Sequence, residues 1–226
     1  MSQTSLFGAV IETPAQASTY HPDTPLNEVV FTVFDLETTG LNPKRNAITE
    51  ITAIQFKAGE ELEKFSTLVK PTEDIPEIVT DITGITNDMV AQAPPPVMAL
   101  SELCQFVGPQ PVMVGHNVQF DVNFIQAKLE ETSLSQFSDR FIMERSLCTR
   151  NLAKLLYPEL PSYEGTAVAH HCGIYNPNPH RAEYDVRMSA STLFVMIKQL
   201  PELAPKIKTI GDLITYQLPP EAPEKA

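Results

Sequence analysis

The stretch FTVFDLETTG, Phe31–Gly40, joins an apolar run directly to two carboxylates. The β-branched and aromatic residues that begin it, bounded by turn residues, indicate a strand buried on both faces. Asp35 and Glu37 interrupt this run. Side chains at i and i+2 of a strand point to the same side, so these two carboxylates should lie beside each other at the end of the strand. Like charges in such a partly dry place repel and lose hydration, so either one is protonated or a cation lies between them.

The two carboxylates have two interpretations. Oxygen-only ligands favour a hard cation such as Mg²⁺ or Mn²⁺, which would make this a metal site. In the alternative, Asp35 and Glu37 begin a polar turn that Thr38, Thr39 and Gly40 complete, with no metal involved. This segment alone favours neither interpretation.

Composition limits the class of protein. A chain of 226 residues with 42% hydrophobic and 19% charged residues is long enough for one globular domain with a full core and tails. The longest apolar runs are far shorter than the roughly 20 residues that cross a bilayer. The first basic residue is Lys44, so no secretory segment is predicted and we expect a cytoplasmic protein. Three cysteines without C-x-x-C spacing indicate neither a disulfide framework nor a structural zinc site.

The net charge of −12, from 16 basic and 28 acidic residues, has the wrong sign for a protein that grips long duplex DNA through many phosphates. An enzyme that holds only a strand end is compatible with this charge, because metal ions in an acidic cleft reverse the local field. We therefore expect weak, salt-sensitive substrate binding unless a partner helps.

The chain divides into one domain with two tails. Residues 1–27 contain several prolines and no periodicity, which indicates a flexible N-terminal segment, and residues 28–200 form the folded domain. Residues 201–226 are rich in Pro, Glu and Lys around one apolar patch, IKTIGDLITYQL. This Pro-rich tail is either disordered or a linear motif that becomes ordered on a partner.

The pattern of elements predicts an α/β fold. Strand-forming stretches at Val29–Phe34, Ala47–Lys57 and Lys64–Lys70, separated by short turns, predict a three-stranded antiparallel meander. The loop TGIT after the meander is expected to expose Ile85, which is unusual for this residue type. The later elements are a helix ending at Val107, a short strand at Pro111–Gly115, a helix opened by Asp121, a helix at Ser146–Tyr157 and a helix from about Arg181.

Two further carboxylates lie on these helices. Asp121 shares a helical face with the apolar Phe124 and Ile125, so it should point into the protein. It could equally be an N-terminal carboxylate that complements the helix dipole and accepts backbone hydrogen bonds. Asp185 lies at the edge of an apolar helical stripe, and His180 lies on the loop just before that helix.

Four carboxylates from three elements, with one histidine near the last of them, match the needs of a two-metal phosphoryl hydrolase. One ion would activate a water and the second would stabilise the departing 3′ oxygen. Histidine is the side chain that accepts a proton near neutral pH, so His180 is the candidate general base.

The segments FDLETTG, NVQFD and HRAEYD, in this order, resemble the three exonuclease motifs of the DEDDh 3′–5′ exonucleases. That family includes the epsilon proofreading subunit of bacterial DNA polymerase III. The resemblance runs from about Val29 to Leu200. The sister class with a tyrosine base would require Tyr at position 181, where this chain has Arg, so the histidine class is favoured.

The resemblance implies a ribonuclease-H-like fold, a mixed sheet with three antiparallel strands and then parallel strands, flanked by helices. It implies that two divalent cations, Mg²⁺ or its substitute Mn²⁺, are bound, and that His180 is the general base. The implied metal ligands are Asp35, Glu37, Asp121 and Asp185. The residues implied to shape the pocket for the terminal nucleotide are Thr38, Thr39, Ile85, Asn117 and Phe120, with Ile85 as an apolar wedge.

The function predicted from this resemblance is 3′–5′ hydrolysis of single-stranded or frayed DNA ends, with release of nucleoside 5′-monophosphates. One alternative is an exoribonuclease, since nothing in the sequence reads a 2′-hydroxyl. Another is a nuclease subunit that acts mainly inside a polymerase complex or a spacer-integration complex, docked through its Pro-rich ends.

Overall fold

The chain folds around a five-stranded mixed sheet in the computed structural model, which describes residues 3–4, 10–11, 20–176 and 180–217. A two-stranded antiparallel sheet precedes it. The strands are β1 (Gln3–Thr4), β2 (Val10–Ile11), β3 (Val30–Thr38), β4 (Ile48–Lys57), β5 (Glu60–Leu68), β6 (Val112–Gly115) and β7 (Ser146–Cys148). The helices are α1 (Glu77–Thr83), α2 (Asn87–Val90), α3 (Pro96–Val107), α4 (Gln119–Glu131), α5 (Thr149–Leu156), α6 (Gly165–His171), α7 (Ala182–Leu203) and α8 (Ile210–Gln217), with short 3₁₀ helices at Ser135–Arg140 and Met143–Arg145.

The strand order in the main sheet is β5-β4-β3-β6-β7. The first three strands pair antiparallel, and β6 and β7 then add parallel to β3. The predicted mixed sheet, three antiparallel strands followed by parallel ones and flanked by helices, is therefore confirmed.

Strand β3 is the centre of the sheet and is covered on both faces, as its apolar run predicts. Phe31 and Val33 belong to one buried cluster, and Phe34 and Leu36 belong to another on the opposite face. Full burial of each large apolar side chain stabilises the fold by about 1.5–3 kcal/mol. Asp35 and Glu37 lie in the last four residues of this strand, so the packing of both faces fixes their position.

Helix α7 packs across β3 and β4 and carries the predicted apolar stripe. Val186 and Leu193 are fully buried in the cluster that contains Phe31. The Phe194 ring packs edge-on against Phe31, with ring centroids 5.8 Å apart at 81°. These contacts fix the position of α7 relative to the end of β3.

The predicted helix at Ser146–Tyr157 is wrong over its first three residues. Ser146–Cys148 form β7, which pairs parallel with β6, and the helix begins only at Thr149. All three residues of β7 are buried. Pairing with a strand distant in sequence therefore overrides the local helical spacing.

The described parts of the two predicted tails are packed against the domain. Ile210 and Leu213 on α8 are buried in the cluster that contains Phe31. The Gln217 side chain accepts a hydrogen bond from the Cys148 N–H at 3.0 Å and donates one to the Ser146 carbonyl at 3.1 Å. The last residue of α8 thus hydrogen-bonds to the backbone of β7. Residues 218–226 lie outside the described residues.

At the N-terminal side, residues 20–27 hydrogen-bond to the start of α8 and to the segment just before it. Pro22 O accepts a bond from Gly211 N at 2.9 Å, and Lys208 O accepts one from Leu26 N at 3.3 Å. Most of the preceding residues lie outside the described part of the chain. Among the described residues, no helix combines the length and apolar character needed to span a bilayer.

Candidate active site

Three carboxylates meet where β3 ends. Asp35 and Glu37 on β3 and Asp185 on α7 each offer an oxygen atom, and these atoms lie within 4.8 Å of one another. All three side chains are half-buried. The i, i+2 spacing on the strand and the packing of α7 across it therefore bring together residues about 150 positions apart in the sequence.

Asp121 lies on α4 beside this group and is almost completely buried. Its charge raises the pKa of Asp35, while its own carboxylate accepts hydrogen bonds from the backbone of Asp121 and of Leu36. Both interpretations of Asp121 thus describe part of its role, because it points inward to the acidic group and also binds backbone at the start of α4.

The four carboxylates are held in their protonated form more readily than ordinary carboxylates. Burial, followed by the charges of Asp121, Glu37 and Asp185, raises the pKa of Asp35 well above its usual range. Burial is also the largest cause for Glu37 and Asp121, and it raises the pKa of each to about 8. A cation among these oxygens would offset both the lost hydration and the mutual repulsion, so the residues present fit a divalent metal.

The carboxylate of Asp185 is oriented by two donors. Asn176 Nδ2 donates to Asp185 Oδ1 at 2.7 Å, and the backbone N–H of His180 donates to Oδ2 at 2.8 Å. Burial raises the pKa of Asp185 and these hydrogen bonds oppose the rise. His180 lies on the loop before α7, as predicted, with an exposed side chain and a left-handed backbone φ of 63°.

Sequence reasoning missed Glu50 on β4, which lies opposite Glu37 in the antiparallel register. Glu50 is only 6% exposed and forms an ion pair with Arg181. Its charge raises the pKa of Glu37, and the charge of Arg181 lowers it. A signal was present, because Glu50 is the only charged residue in the run AITEITAIQF and a charge in a buried strand requires a partner. Asn176, in a loop, offered no such signal.

The two threonines of the first motif brace the turn after β3. Thr39 is buried, donates to Glu73 Oε1 at 2.5 Å and accepts a hydrogen bond from Ala47 N at 2.9 Å. The half-buried Thr38 donates to the Gly40 carbonyl at 2.7 Å. These bonds fix the shape of the turn, and contact of either threonine with a nucleotide stays a prediction.

The expectation that Ile85 is exposed is wrong. Its side chain is fully buried in a small cluster with Ile75 and Val90, so in this arrangement it presents no surface to a base. Asn117 is exposed, and its carbonyl accepts a hydrogen bond from the N–H of the half-buried Phe120. Asn117 and Phe120 lie four residues and one residue before Asp121, and they stay candidates for substrate contact.

Known proteins resemble this chain in sequence and in fold. The family model RNase_T, described as an exonuclease, matches residues 32–193. The chain is 37% identical over 172 residues to a PolC-type DNA polymerase III of Clostridium perfringens, covering 76% of this chain and 11% of that protein. It is 35% identical over 173 residues to the DNA polymerase III subunit epsilon of Aquifex aeolicus, covering 76% of this chain and 81% of that subunit.

Two solved structures share the fold. Escherichia coli exonuclease I in complex with a dA16 oligonucleotide has a TM-score of 0.65 at 20% identity and covers 83% of this chain and 42% of its own. Exonuclease X in complex with 5′ overhanging duplex DNA has a TM-score of 0.61 at 23% identity and covers 83% of this chain and 99% of its own. The ribonuclease-H-like sheet implied by the sequence is therefore shared with both enzymes.

Proposed function

Because this chain belongs to the RNase_T family of exonucleases, we propose that it is a metal-dependent 3′–5′ exonuclease that hydrolyses phosphodiester bonds at DNA ends. The observation that supports this most is the meeting of Asp35, Glu37 and Asp185 oxygens within 4.8 Å of one another. The chain spans only about a tenth of the PolC-type relative but four-fifths of the epsilon subunit.

The proposed metal ligands are Asp35, Glu37, Asp121 and Asp185, which offer hard oxygen donors suited to two Mg²⁺ ions, with Mn²⁺ as a substitute. When bound, the cations supply electrostatic stabilisation of the charge that develops on the phosphate. The side chain of His180 is proposed to take the proton of the attacking water, since an imidazole accepts protons near neutral pH. Asn176 and the His180 backbone N–H orient the Asp185 carboxylate for its proposed role as a metal ligand.

The proposed substrate is a single-stranded or frayed DNA 3′ end. The acidic net charge of −12 fits a short strand end held at one site better than a long duplex held through many phosphates. The structural neighbour exonuclease I is described in complex with DNA oligonucleotides, and the epsilon relative is a subunit of a DNA polymerase. RNA remains the alternative substrate. A site distinguishes RNA from DNA by a contact with the 2′-hydroxyl, and the sequence identifies no residue for that contact.

A DNA oligonucleotide labelled at its 5′ end should yield, with Mg²⁺, a ladder of products that shortens from the 3′ end. Each cleavage removes one terminal nucleotide, so the label stays on progressively shorter strands and the released products are nucleoside 5′-monophosphates. Gel electrophoresis over time measures the ladder, and chelation of the metal should stop it. A labelled mononucleotide as first product would contradict the proposed direction, and faster digestion of the matched RNA strand would favour the alternative.

The relatives support a second proposal, that the chain works inside a polymerase complex, docked through residues 218–226. The polymerase III names of both relatives motivate this proposal. Cutting the chain after Pro201 would remove α8 and its buried side chains, so deletion must begin at residue 218. We expect that deletion to preserve hydrolysis and to abolish co-elution with the polymerase subunit on a sizing column. Co-elution of the shortened chain would show that the tail is not the contact.

A further inference from the structure

We propose that Glu50 is a positioning residue that anchors the start of α7 to the sheet and thereby places Asp185 and His180 beside the carboxylates of β3. The inference deepens the proposed function, because it rests on the acidic group being a metal site. It assigns a role to a buried carboxylate that is not among the proposed metal ligands.

The contacts of Glu50 join two elements that are far apart in the sequence. Glu50 Oε1 accepts a hydrogen bond from Arg181 Nη2 at 3.2 Å, and Oε2 accepts one from the backbone N–H of Ala182 at 3.2 Å. Both of its oxygens are therefore committed to the residue that precedes α7 and to the first residue of that helix. The opposite position on β3 is Glu37, so this anchor lies beside one of the proposed ligands on the same face of the sheet.

Helix α7 receives an N-terminal acceptor from Glu50, because the side chain at its own N-cap position supplies none. The residue at its N-cap position, Arg181, has an extended backbone and its side chain caps no N–H group. The first N–H groups of a helix have no partner inside the helix and are satisfied by a capping acceptor. Glu50 supplies that acceptor from the neighbouring strand, and its negative charge also complements the positive end of the helix.

The two site residues of this segment flank the anchored position. His180 precedes Arg181, and its backbone N–H binds Asp185 Oδ2. The N–H of Asp185 in turn donates to the Arg181 carbonyl at 3.1 Å. A displacement of Arg181 or Ala182 would therefore move His180 and Asp185 together relative to β3.

The choice of a carboxylate at position 50 is costly unless it positions something. A fifth acidic side chain, beside Glu37, adds repulsion to a group that already lacks hydration. The surface ion pairs of α7, Lys64 with Glu183 and Arg187 with Glu61, are far more exposed than Glu50 and contribute little to fixing the helix. Glu50 therefore makes buried polar contacts between the first turn and the sheet, whereas Lys64 reaches the same turn from the surface.

The test compares Glu50→Ala, Glu50→Gln and the control Glu61→Ala. The control removes a carboxylate that also pairs with α7, at Arg187, but beyond its first turn. The first readout is the Mn²⁺ concentration that gives half of the full thermal stabilisation, measured without substrate, and the second is the split between kcat and KM on a DNA oligonucleotide. Loss of a residue that orients a metal ligand typically costs about 10–100-fold in metal affinity or activity.

We expect Glu50→Ala to raise the half-saturating Mn²⁺ concentration by about tenfold or more and to lower kcat with little change in KM. Glu50→Gln keeps an acceptor for the Ala182 N–H and should restore part of the affinity. Glu61→Ala should match the wild type. The inference is overturned if Glu50→Ala only lowers the melting temperature and leaves the Mn²⁺ dependence unchanged.

If Glu50→Ala does not fold, Glu50→Gln decides alone, and an unchanged Mn²⁺ dependence in that variant overturns the inference. The two proposals fail in different ways. A wild-type protein that Mn²⁺ stabilises but that cleaves no nucleic acid refutes the proposed function and leaves the Glu50 comparison intact. A wild-type protein that Mn²⁺ does not stabilise refutes both.

Discussion

Replacing Asp35 with alanine is expected to abolish hydrolysis of the DNA 3′ end, with a fall in kcat of about 10³-fold or more. Removal of one group that stabilises transition-state charge already costs about 10²–10³-fold in known enzymes. Asp35 interacts electrostatically with Asp121, Glu37 and Asp185, so it lies at the centre of the proposed metal site. The measurement is the rate of single-nucleotide release from a 5′-labelled strand at saturating Mg²⁺.

The stability of the same variants separates a lost metal site from a lost fold. Asp35→Asn keeps the size of the side chain and removes a charge that its neighbours repel, so the metal-free variant should melt at a higher temperature than the wild type. It should also lose the stabilisation that Mn²⁺ gives. Asp139→Asn, the same change at an exposed position, should alter neither property. Normal hydrolysis by Asp35→Ala would refute the site assignment.

Most of the site follows from local periodicity. Asp35 and Glu37 are predictable as neighbours because the strand repeat is two, and the apolar run before them defines a strand with both faces buried. The inward direction of Asp121 follows in the same way from the helix repeat. Periodicity does not predict that residues on separate elements meet at one site. The meeting of α7 with the end of β3 depends on packing such as Phe194 against Phe31. The resemblance of the motifs implied that the site residues meet, but it did not identify these contacts.

The errors come from contacts between residues distant in sequence. Ser146–Cys148 form a strand only because β6 lies beside them, and three residues carry too little local pattern to reveal it. Ile85 is buried because Ile75 and Val90 pack on it from either side in the sequence. The capping of α7 by Glu50 spans more than 130 residues, so the lone charge in β4 signalled a partner without identifying it.

The stability of the metal-free protein should fall as the pH rises from 6.5 to 8. In the folded state the pKa values of Glu37 and Asp121 are raised to about 8, whereas unfolded carboxylates titrate near pH 4. Between these values the folded state holds protons that the unfolded state has released, so deprotonation on raising the pH destabilises the fold. Burial lowers the pKa of His116, which destabilises the fold only toward acid, so this pH range reports mainly on the carboxylates.

The expected loss in the free energy of unfolding is about 2 kcal/mol between these pH values, a figure reduced for solvent screening at the half-buried Glu37. Urea unfolding in the presence of a chelator measures it. Saturating Mg²⁺ should remove most of the slope, because bound cations keep the carboxylates ionised in the folded state at both pH values. Asp35→Asn should flatten the slope without metal, because it removes one of the titrating carboxyl groups whose pKa burial and the neighbouring charges raise. Stability that is constant or rises over this range in the chelated protein would show that burial does not raise the pKa values of Glu37 and Asp121 in the folded state.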